Sequence, residues 1–324
     1  MAKTSYTCVE CGYRTPKPLG RCPACGSWES FQEVTPSPRA PSRQAHLEAP
    51  SPIPLSQVNE LEEKRFSSGL SEVDRVLGGG FVPGEVVLLG GEPGVGKSTL
   101  LLELAKHLTR KVYYLAGEES PAQIKLRARR LGVKDLLLLK ETRLEPLLSL
   151  LERDPPEVLF VDSIQTIEAV GSPGSLVAVR EATHAFVRLA KEEGITILLV
   201  GHVTKEGVVA GPKSIEHAVD ATLYLESAGV YRVLRSAKNR FGPVGELGVF
   251  RMEEEGLVEV ENPSEAFLLE RPIGVPGSAI ALALAGERAL ALEVQALAAK
   301  TPFPAPRRVV QGCLLYTSPS PRDS

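Results

Sequence analysis

Short apolar runs alternate with amphipathic stretches through the middle of this 324-residue chain. Five apolar runs have the length and composition of buried strands; they lie at 85–90, 112–116, 136–139, 158–161 and 195–200. The stretches between them place apolar residues at helical spacing, which predicts helices at 100–108, 121–130, 144–153 and 176–193. This alternation predicts the α/β class, with a mainly parallel sheet covered by helices on both faces.

The pattern changes on both sides of this region. A short helix is predicted with Ser71 as its N-cap and Gly78 at its end. Further on, the alternation at 221–226 and 231–235 predicts antiparallel strands that lead into a tight turn at 236–243. We expect this turn to hold Lys238 and Arg240 away from their own sheet, where they could reach a phosphate of their own or of a neighbouring subunit. A solvated turn is the alternative. Two more strands are predicted at 277–284 and 289–295, and loops at 163–175 and 203–213.

The first strand leads through a glycine-rich loop into the first helix. The loop consists of Gly91, Glu92, Pro93, Gly94, Val95, Gly96, Lys97, Ser98 and Thr99. Glycines let backbone N–H groups converge on a phosphate, and the helix N-terminus adds partial positive charge. We expect Lys97 to contact the β- and γ-phosphate oxygens and Ser98 to hold Mg²⁺. The pattern therefore predicts an ATP site, with a plain glycine-rich turn as the alternative.

Acidic residues follow two other predicted strands at the same edge of the sheet, where ligands bind in this class. Asp162 is expected to orient Mg²⁺. We assign Glu118 as the base that polarises the attacking water, with Glu119 as the second choice. Charges that complement a helix dipole are the alternative for this pair. His202 follows a further strand, where it either senses the γ-phosphate or is structural.

Four of the five cysteines lie near the N-terminus, as two C-x-x-C pairs: Cys8, Cys11, Cys22 and Cys25. Each pair can present two thiolates to one ion from a tight turn, which predicts a tetrahedral Zn²⁺ site. A segment this short has no core of its own, so the metal would supply folding energy. Four sulfur ligands leave no open position for catalysis. Disulfide bonds are the alternative, which a reducing compartment disfavours.

The composition limits the classes of protein to which this chain can belong. Hydrophobic residues make up 43% of the chain and charged residues 24%, as in ordinary soluble proteins. No apolar run approaches the ~20 residues that span a bilayer, and the first residues lack a signal core, so we expect a cytoplasmic protein. The formal net charge of −3 gives no overall basic surface, so contact with nucleic acid would need a local patch.

Taken in order, these motifs closely resemble one protein family. The four cysteines are followed by Leu77-Gly78-Gly79-Gly80, the loop 91–99, Gly117-Glu118-Glu119-Ser120 and Lys238-Asn239-Arg240-Phe241-Gly242. This series resembles the bacterial RadA (Sms) family of recombination and repair proteins, over residues 1 to about 310. The last motif is close to diagnostic for that family.

The resemblance implies a RecA-type ATPase that assembles in rings on single-stranded DNA and acts as a helicase-like motor in branch migration. It implies that Lys97 and Ser98 bind nucleotide and that Lys238 and Arg240 couple DNA binding to ATP hydrolysis. The implied cofactors are ATP, Mg²⁺ and Zn²⁺. The implied partners are single-stranded and branched DNA, further copies of the chain and the RecA recombinase, with no membrane.

Two other functions remain as alternatives. A KaiC-like regulatory ATPase would share the core, but the cysteine pairs and the Lys-Asn-Arg-Phe-Gly motif argue against it. An ATP-dependent Lon-like protease would need a Ser-Lys dyad, and none can be placed in the sequence.

The composition and the resemblance together predict a division into domains. The expected parts are a zinc module at 1–34, a Pro-rich linker at 35–56, a RecA-like ATPase domain at 57–261, the start of a truncated Lon-like domain at 262–311 and a non-native tail at 312–324. The tail departs from the preceding composition and resembles translated adapter sequence, so its Cys313 is not expected to carry chemistry.

Overall fold

The computed structural model describes these parts of the chain: 5–8, 13–24, 26–34, 54, 65–202, 215–269, 271, 274 and 276–300. A small N-terminal sheet comprises β1 (Ser5–Cys8), β2 (Arg14–Thr15) and β3 (Phe31–Val34), in the order β2-β1-β3. All its pairings are antiparallel.

A nine-stranded sheet dominates the described residues. In chain order its strands are β4 (Val86–Gly91), β5 (Val112–Ala116), β6 (Leu137–Leu139), β7 (Val158–Asp162), β8 (Thr196–His202), β9 (Ala221–Ala228), β10 (Tyr231–Asn239), β11 (Leu247–Glu253) and β12 (Gly256–Glu259). Their order across the sheet is β12-β11-β10-β9-β4-β8-β7-β5-β6. The six strands from β9 to β6 run parallel, and β10, β11 and β12 extend this sheet as an antiparallel meander. The central position of β4 places the loop that follows it in the middle of the sheet edge.

Helices cover both faces of this sheet. They are α1 (Ser71–Leu77), α2 (Lys97–His107), α3 (Pro121–Leu131), α4 (Leu144–Arg153) and α5 (Leu176–Glu193), followed by the short α6 (Pro263–Leu268). Apolar residues of α1, α2 and α3 form a core on one face, and those of α4 and α5 form a second core on the other. The predicted α/β class is therefore confirmed, and β5, α4 and α5 begin and end where the sequence predicts.

The start of α1 differs from the sequence prediction. The N-cap is Leu70, and Ser71 is the first residue of the helix. The Ser71 hydroxyl donates to Glu259 Oε1 at 3.0 Å, and the Glu72 N–H donates to the same oxygen at 2.6 Å. The carboxylate of β12 thus supplies the acceptor that an N-cap side chain would otherwise provide. Gly78 ends the helix at a φ of 79°, as predicted.

A hairpin of β13 (Ser278–Ala285) and β14 (Arg288–Gln295) follows the main sheet, as predicted for this region. Its Leu290 is buried and packs with Val233 and Leu247 of the antiparallel meander. On the opposite face Leu282 and Leu284 are 80% and 81% exposed. The hairpin is therefore attached to the main sheet through one face only.

Two carboxyl groups are buried where β4 begins. Asp220 is 2% exposed and accepts hydrogen bonds from the Val86 N–H at 3.0 Å and from Lys191 Nζ at 2.8 Å. Glu85 is also 2% exposed. Burial raises the pKa of Glu85 to about 8, and the nearby negative charge of Asp220 raises that pKa as well. The folded protein thus holds Glu85 protonated at neutral pH.

This arrangement predicts a stability that falls as pH rises. The unfolded chain releases the Glu85 proton near pH 4.5, whereas the folded chain keeps it up to about pH 8. Between these values the folded state binds more protons, so the free energy of unfolding decreases with pH, by at most about 1.4 kcal/mol per pH unit. Glu85→Gln should remove this dependence. Urea unfolding at several pH values, with the exposed Glu193→Gln as control, measures the slopes. Equal slopes in the parent and in Glu85→Gln would contradict the assignment.

Candidate active site

The glycine-rich loop between β4 and α2 closes around the side chain of its own lysine. Lys97 Nζ donates to the carbonyl oxygens of Gly91 at 2.8 Å and Glu92 at 2.9 Å. Burial lowers the pKa of Lys97, while the charges of Asp162 and Glu118 raise it. The predicted lysine, metal-orienting acid and base therefore lie close enough to interact electrostatically.

The backbone of this loop fits a phosphate group. The N-cap of α2 is Gly96, at a φ of 116°, so no side chain caps the first N–H groups of the helix. Those donors, together with the helix dipole, are available to an anion. A φ of 116° lies in the region that L side chains rarely adopt, which explains why a glycine occupies this position. Unsatisfied N–H donors beside a buried ammonium are the donor set that a triphosphate requires.

Asp162 lies at the carboxyl end of β7, as predicted, and is 7% exposed. The Tyr114 hydroxyl donates to its Oδ2 at 2.6 Å from the neighbouring strand β5. Burial raises the pKa of Tyr114 well above its ordinary value, and the charge of Asp162 raises it further, so the hydroxyl keeps its proton. Sequence reasoning missed Tyr114, although a hydroxyl-bearing residue in an apolar strand was an available signal.

The structure separates the two acids that follow β5. Glu119 Oε1 pairs with Arg127 Nη2 of α3 at 2.6 Å. Glu118 instead accepts a hydrogen bond from the Ser163 hydroxyl, and Ser163 directly follows Asp162. Glu118 therefore groups with Lys97 and Asp162, and we call these three residues the Lys97 cluster. Glu119 is paired with helix α3 instead, which agrees with the choice of Glu118. Its role as base stays a prediction.

Close packing fixes the turn that carries Glu118. The Gly117 N–H donates to the Asp162 carbonyl oxygen at 2.8 Å, and Thr166 Oγ1 donates to the Ser163 carbonyl oxygen at 2.7 Å. A Cβ on Gly117 would come within 1.8 Å of Thr166 Oγ1. The loop after β7 and the loop after β5 are thus in direct contact, and sequence reasoning did not identify Thr166.

A cation from the antiparallel meander also contacts the phosphate loop. Arg232 Nε of β10 donates to the Val95 carbonyl oxygen at 2.9 Å. Its Nη1 donates to the carbonyl oxygens of Gly229 and Tyr231, which holds the guanidinium near the beginning of β10. Sequence reasoning missed Arg232 because the contact joins residues 137 positions apart and has no local signature.

His202 ends β8 and pairs in register with Gly91 at the start of the phosphate loop. The side chain of His202 and residues 203–214 lie outside the described part of the structure. The predicted phosphate-sensing role of His202 and the predicted loop at 203–213 therefore stay predictions.

The placement of Lys238 and Arg240 corrects two expectations. Strand β10 continues to Asn239, so Lys238 lies in the sheet and only Arg240 lies on the turn. Both cations fold back onto their own chain. Lys238 Nζ donates to the carbonyl oxygens of three residues just before β9: Glu216 at 2.7 Å, His217 at 3.2 Å and Val219 at 2.6 Å. Arg240 Nη1 lies 3.3 Å from Asp220 Oδ1. Nearby carbonyl and carboxylate acceptors explain why the cations do not project away.

The register of the sheet puts these cations far from the phosphate loop of the same chain. Asn239 pairs with Ala221, and Ala221 pairs with Val87 near the start of β4. The phosphate loop begins at Gly91, at the other end of that strand, roughly 13 Å further along at about 3.3 Å per residue. The structure therefore does not bring Lys238 and Arg240 to the Lys97 cluster.

Two of the four predicted zinc ligands, Cys8 and Cys22, are described, and both are buried. Cys11 and Cys25 lie outside the described residues. The Cys8 N–H donates to the Tyr13 carbonyl oxygen at 2.9 Å. The Cys22 N–H donates to the Ser27 carbonyl oxygen at 2.8 Å, so donor and acceptor are separated by the same number of residues in both turns. Two buried thiols on repeated turns fit a soft metal ion such as Zn²⁺.

Metal removal should affect this module alone. We expect one Zn²⁺ per chain, and chelation should change the fluorescence of Trp28, the single tryptophan of the chain. The thermal transition of the nine-stranded sheet, followed by circular dichroism, should stay nearly unchanged. Cys8→Ala should lose the metal, whereas Cys313→Ala is the control that keeps it. Metal analysis that finds no zinc after anaerobic purification would contradict this prediction.

Within the described ranges, no helix combines the length and the apolar character needed to cross a bilayer.

The parallel sheet, the phosphate loop and the acids at the strand ends define a RecA-like P-loop ATPase domain, here joined to a metal-binding module. A family model described as "AAA domain" matches residues 50–208, and one described as "Rubredoxin metal binding domain" matches residues 6–33. The DNA repair protein RadA of Halalkalibacterium halodurans is 45% identical over an alignment that covers 96% of this chain and 71% of that protein. The DNA repair protein RadA of Bacillus subtilis is 45% identical over 96% of this chain and 72% of its own length. The DNA repair protein RadA of Listeria monocytogenes is 44% identical over 95% of this chain and 70% of its own length. The chain belongs to the RadA family of DNA repair proteins, which confirms the resemblance seen in the motifs.

Proposed function

We propose that this chain is a DNA-dependent ATPase that works as a helicase-like motor and promotes branch migration of recombination intermediates. The observation that carries the proposal is the convergence of Lys97, Asp162 and Glu118 at one sheet edge. This ATPase site occurs in a chain whose relatives are named DNA repair proteins. The proposed partners are single-stranded and branched DNA, further copies of the chain and the RecA recombinase.

Each residue of the cluster has a distinct task in this proposal. Lys97 leaves the carbonyl oxygens of Gly91 and Glu92 and contacts the β- and γ-phosphate oxygens of ATP. Ser98 and, through water, Asp162 would hold Mg²⁺, which neutralises phosphate charge when it is bound. Glu118 takes the proton of the attacking water. Glu119 is the weaker candidate because Arg127 already neutralises it.

The position of Lys238 and Arg240 supports assembly into a ring. These cations lie at the other end of the sheet from their own phosphate loop, so any nucleotide that they contact would belong to a neighbouring subunit. Arg240 is exposed, its contact with Asp220 is long, and Asp220 keeps its pairing with Lys191 when Arg240 leaves, so Arg240 can be released. Lys238 is held by three carbonyl oxygens. We therefore assign Arg240 as the mobile finger and Lys238 as the residue that anchors the motif.

The domain division is part of the same proposal. We assign a zinc module to 1–34, a linker to 35–56, the ATPase domain to 57–261, the start of a Lon-like domain to 262–311 and a non-native tail to 312–324. The separate small sheet, the nine-stranded sheet and the hairpin of β13 and β14 support the first, third and fourth parts.

The function predicts an ATPase that DNA stimulates. Single-stranded DNA should raise the rate of ATP hydrolysis several-fold. Lys97→Ala should abolish both basal and stimulated turnover, because it removes the ammonium that the phosphate loop supplies to the transferred phosphate. Phosphate release in the presence and absence of DNA measures this, and an unchanged circular dichroism spectrum confirms that the variant folds. Turnover that does not respond to DNA would favour a regulatory ATPase or a protease over the proposed motor.

The ring predicts complementation between two inactive variants. Lys238→Ala and Arg240→Ala should each retain ATP binding and lose DNA-stimulated turnover. Mixing Arg240→Ala with Lys97→Ala should partly restore turnover, because one subunit supplies the phosphate loop and its neighbour supplies Arg240. Arg240→Lys should stay impaired, since a point charge does not replace a planar fork.

The matched control for these variants is Arg188→Ala, which removes an exposed arginine from α5 and should behave like the parent. If both alanine variants kept normal DNA stimulation, the motif would have no role in coupling.

A further inference from the structure

The hydroxyl of Tyr114 faces the acid that is assigned to Mg²⁺. It donates to Asp162 Oδ2 at 2.6 Å, and both residues are buried. Tyr114 is 1% exposed, so water cannot replace this hydrogen bond without opening the sheet. One of the two carboxylate oxygens is therefore engaged from inside the protein.

We propose that Tyr114 is a positioning residue that fixes the orientation of Asp162 for Mg²⁺, an inference that rests on the proposed ATPase function. By occupying Oδ2, Tyr114 sets the rotation of the carboxylate and leaves Oδ1 for the water shell of the metal. Outer-sphere partners of this kind orient a metal-binding group. Tyr114 itself touches neither nucleotide nor metal.

The sheet holds the tyrosine rigidly enough for this task. Strands β5 and β7 are parallel neighbours, with Tyr114 opposite Phe160 and Ala116 opposite Asp162. The rings of Tyr114 and Phe160 pack edge to face, with centroids 6.3 Å apart and an interplanar angle of 89°. Since the ring lies within the core formed with α2 and α3, its hydroxyl has a fixed position relative to the end of β7.

The preceding residue provides a matched control. Tyr113 also lies in β5, is nearly buried and donates its hydroxyl to an aspartate, Asp154. Its side chain belongs to the core on the opposite face of the sheet. Asp154 directly follows α4 and is not part of the candidate active site. Tyr113→Phe therefore removes the same chemical group from the same strand without touching Asp162.

Equilibrium binding tests the proposal without relying on turnover. The probe is a fluorescent, non-hydrolysable ATP analogue, whose affinity for the parent, Tyr114→Phe and Tyr113→Phe is measured at increasing Mg²⁺. We expect Tyr114→Phe to raise the half-saturating Mg²⁺ concentration about tenfold or more, as loss of an outer-sphere partner does. Affinity for the analogue without metal should stay unchanged, and Tyr113→Phe should match the parent.

The control measurements separate positioning from loss of structure. Tyr114→Phe keeps the ring, and thermal unfolding of each variant without nucleotide checks the fold. In an Asp162→Asn background, Tyr114→Phe should cause no further change in the Mg²⁺ dependence. Such non-additivity is expected when the two residues act through one hydrogen bond.

The possible outcomes distinguish the positioning role of Tyr114 from the proposed ATPase function. An unshifted Mg²⁺ dependence in Tyr114→Phe, or an equal shift in Tyr113→Phe, overturns the positioning role. A parent protein that binds the analogue independently of Mg²⁺, or not at all, overturns the proposed ATPase function instead. A shift confined to Tyr114→Phe supports both.

Discussion

The buried ammonium of Lys97 is the constraint on which the site depends. Burial alone would favour its neutral form, so the charge has to be compensated from nearby. The compensation comes from three strand ends: the carbonyl oxygens of Gly91 and Glu92 at the end of β4, Glu118 after β5 and Asp162 at the end of β7. A parallel sheet in which these strands lie close together brings the groups to one edge. The fold therefore keeps a buried cation beside the phosphate loop.

The opposite end of the same sheet carries a second set of buried charges. Asp220 links the start of β4 to Lys191 of α5 and to Arg240 of the turn after β10. Glu85 beside it stays protonated because a second buried carboxylate would add repulsion to the cost of desolvation. Each end thus balances charge in a different way: the phosphate end holds the Lys97 ammonium beside Asp162 and Glu118, whereas at the other end Asp220 is paired with Lys191 and Arg240 and Glu85 keeps its proton.

The sequence predicts those features that local pattern determines. Apolar runs located the strands, and the spacing within residues 91–99 located the phosphate loop, because both depend on residues near one another in the chain. Tyr114 with Asp162, Arg232 with Val95 and Glu259 with α1 were missed, since these contacts join distant segments. Lys238 was misplaced for a related reason. A polar residue at a strand end is predicted as turn, but pairing with Thr222 keeps it in the sheet.

Strand β10 gives a physical connection between the two ends. Near its beginning Arg232 holds the carbonyl oxygen of Val95 in the phosphate loop, and near its end Lys238 holds the segment before β9. The strand pairs with β11 from Tyr231 to Arg235 and with β9 over its whole length, with an irregularity in the β9 pairing between Ser236 and Lys238. In the proposed ring, Arg240 at its end would serve the neighbouring nucleotide. The same strand would then contact a subunit's own nucleotide loop near its beginning and carry, just beyond its end, the cation for the next subunit.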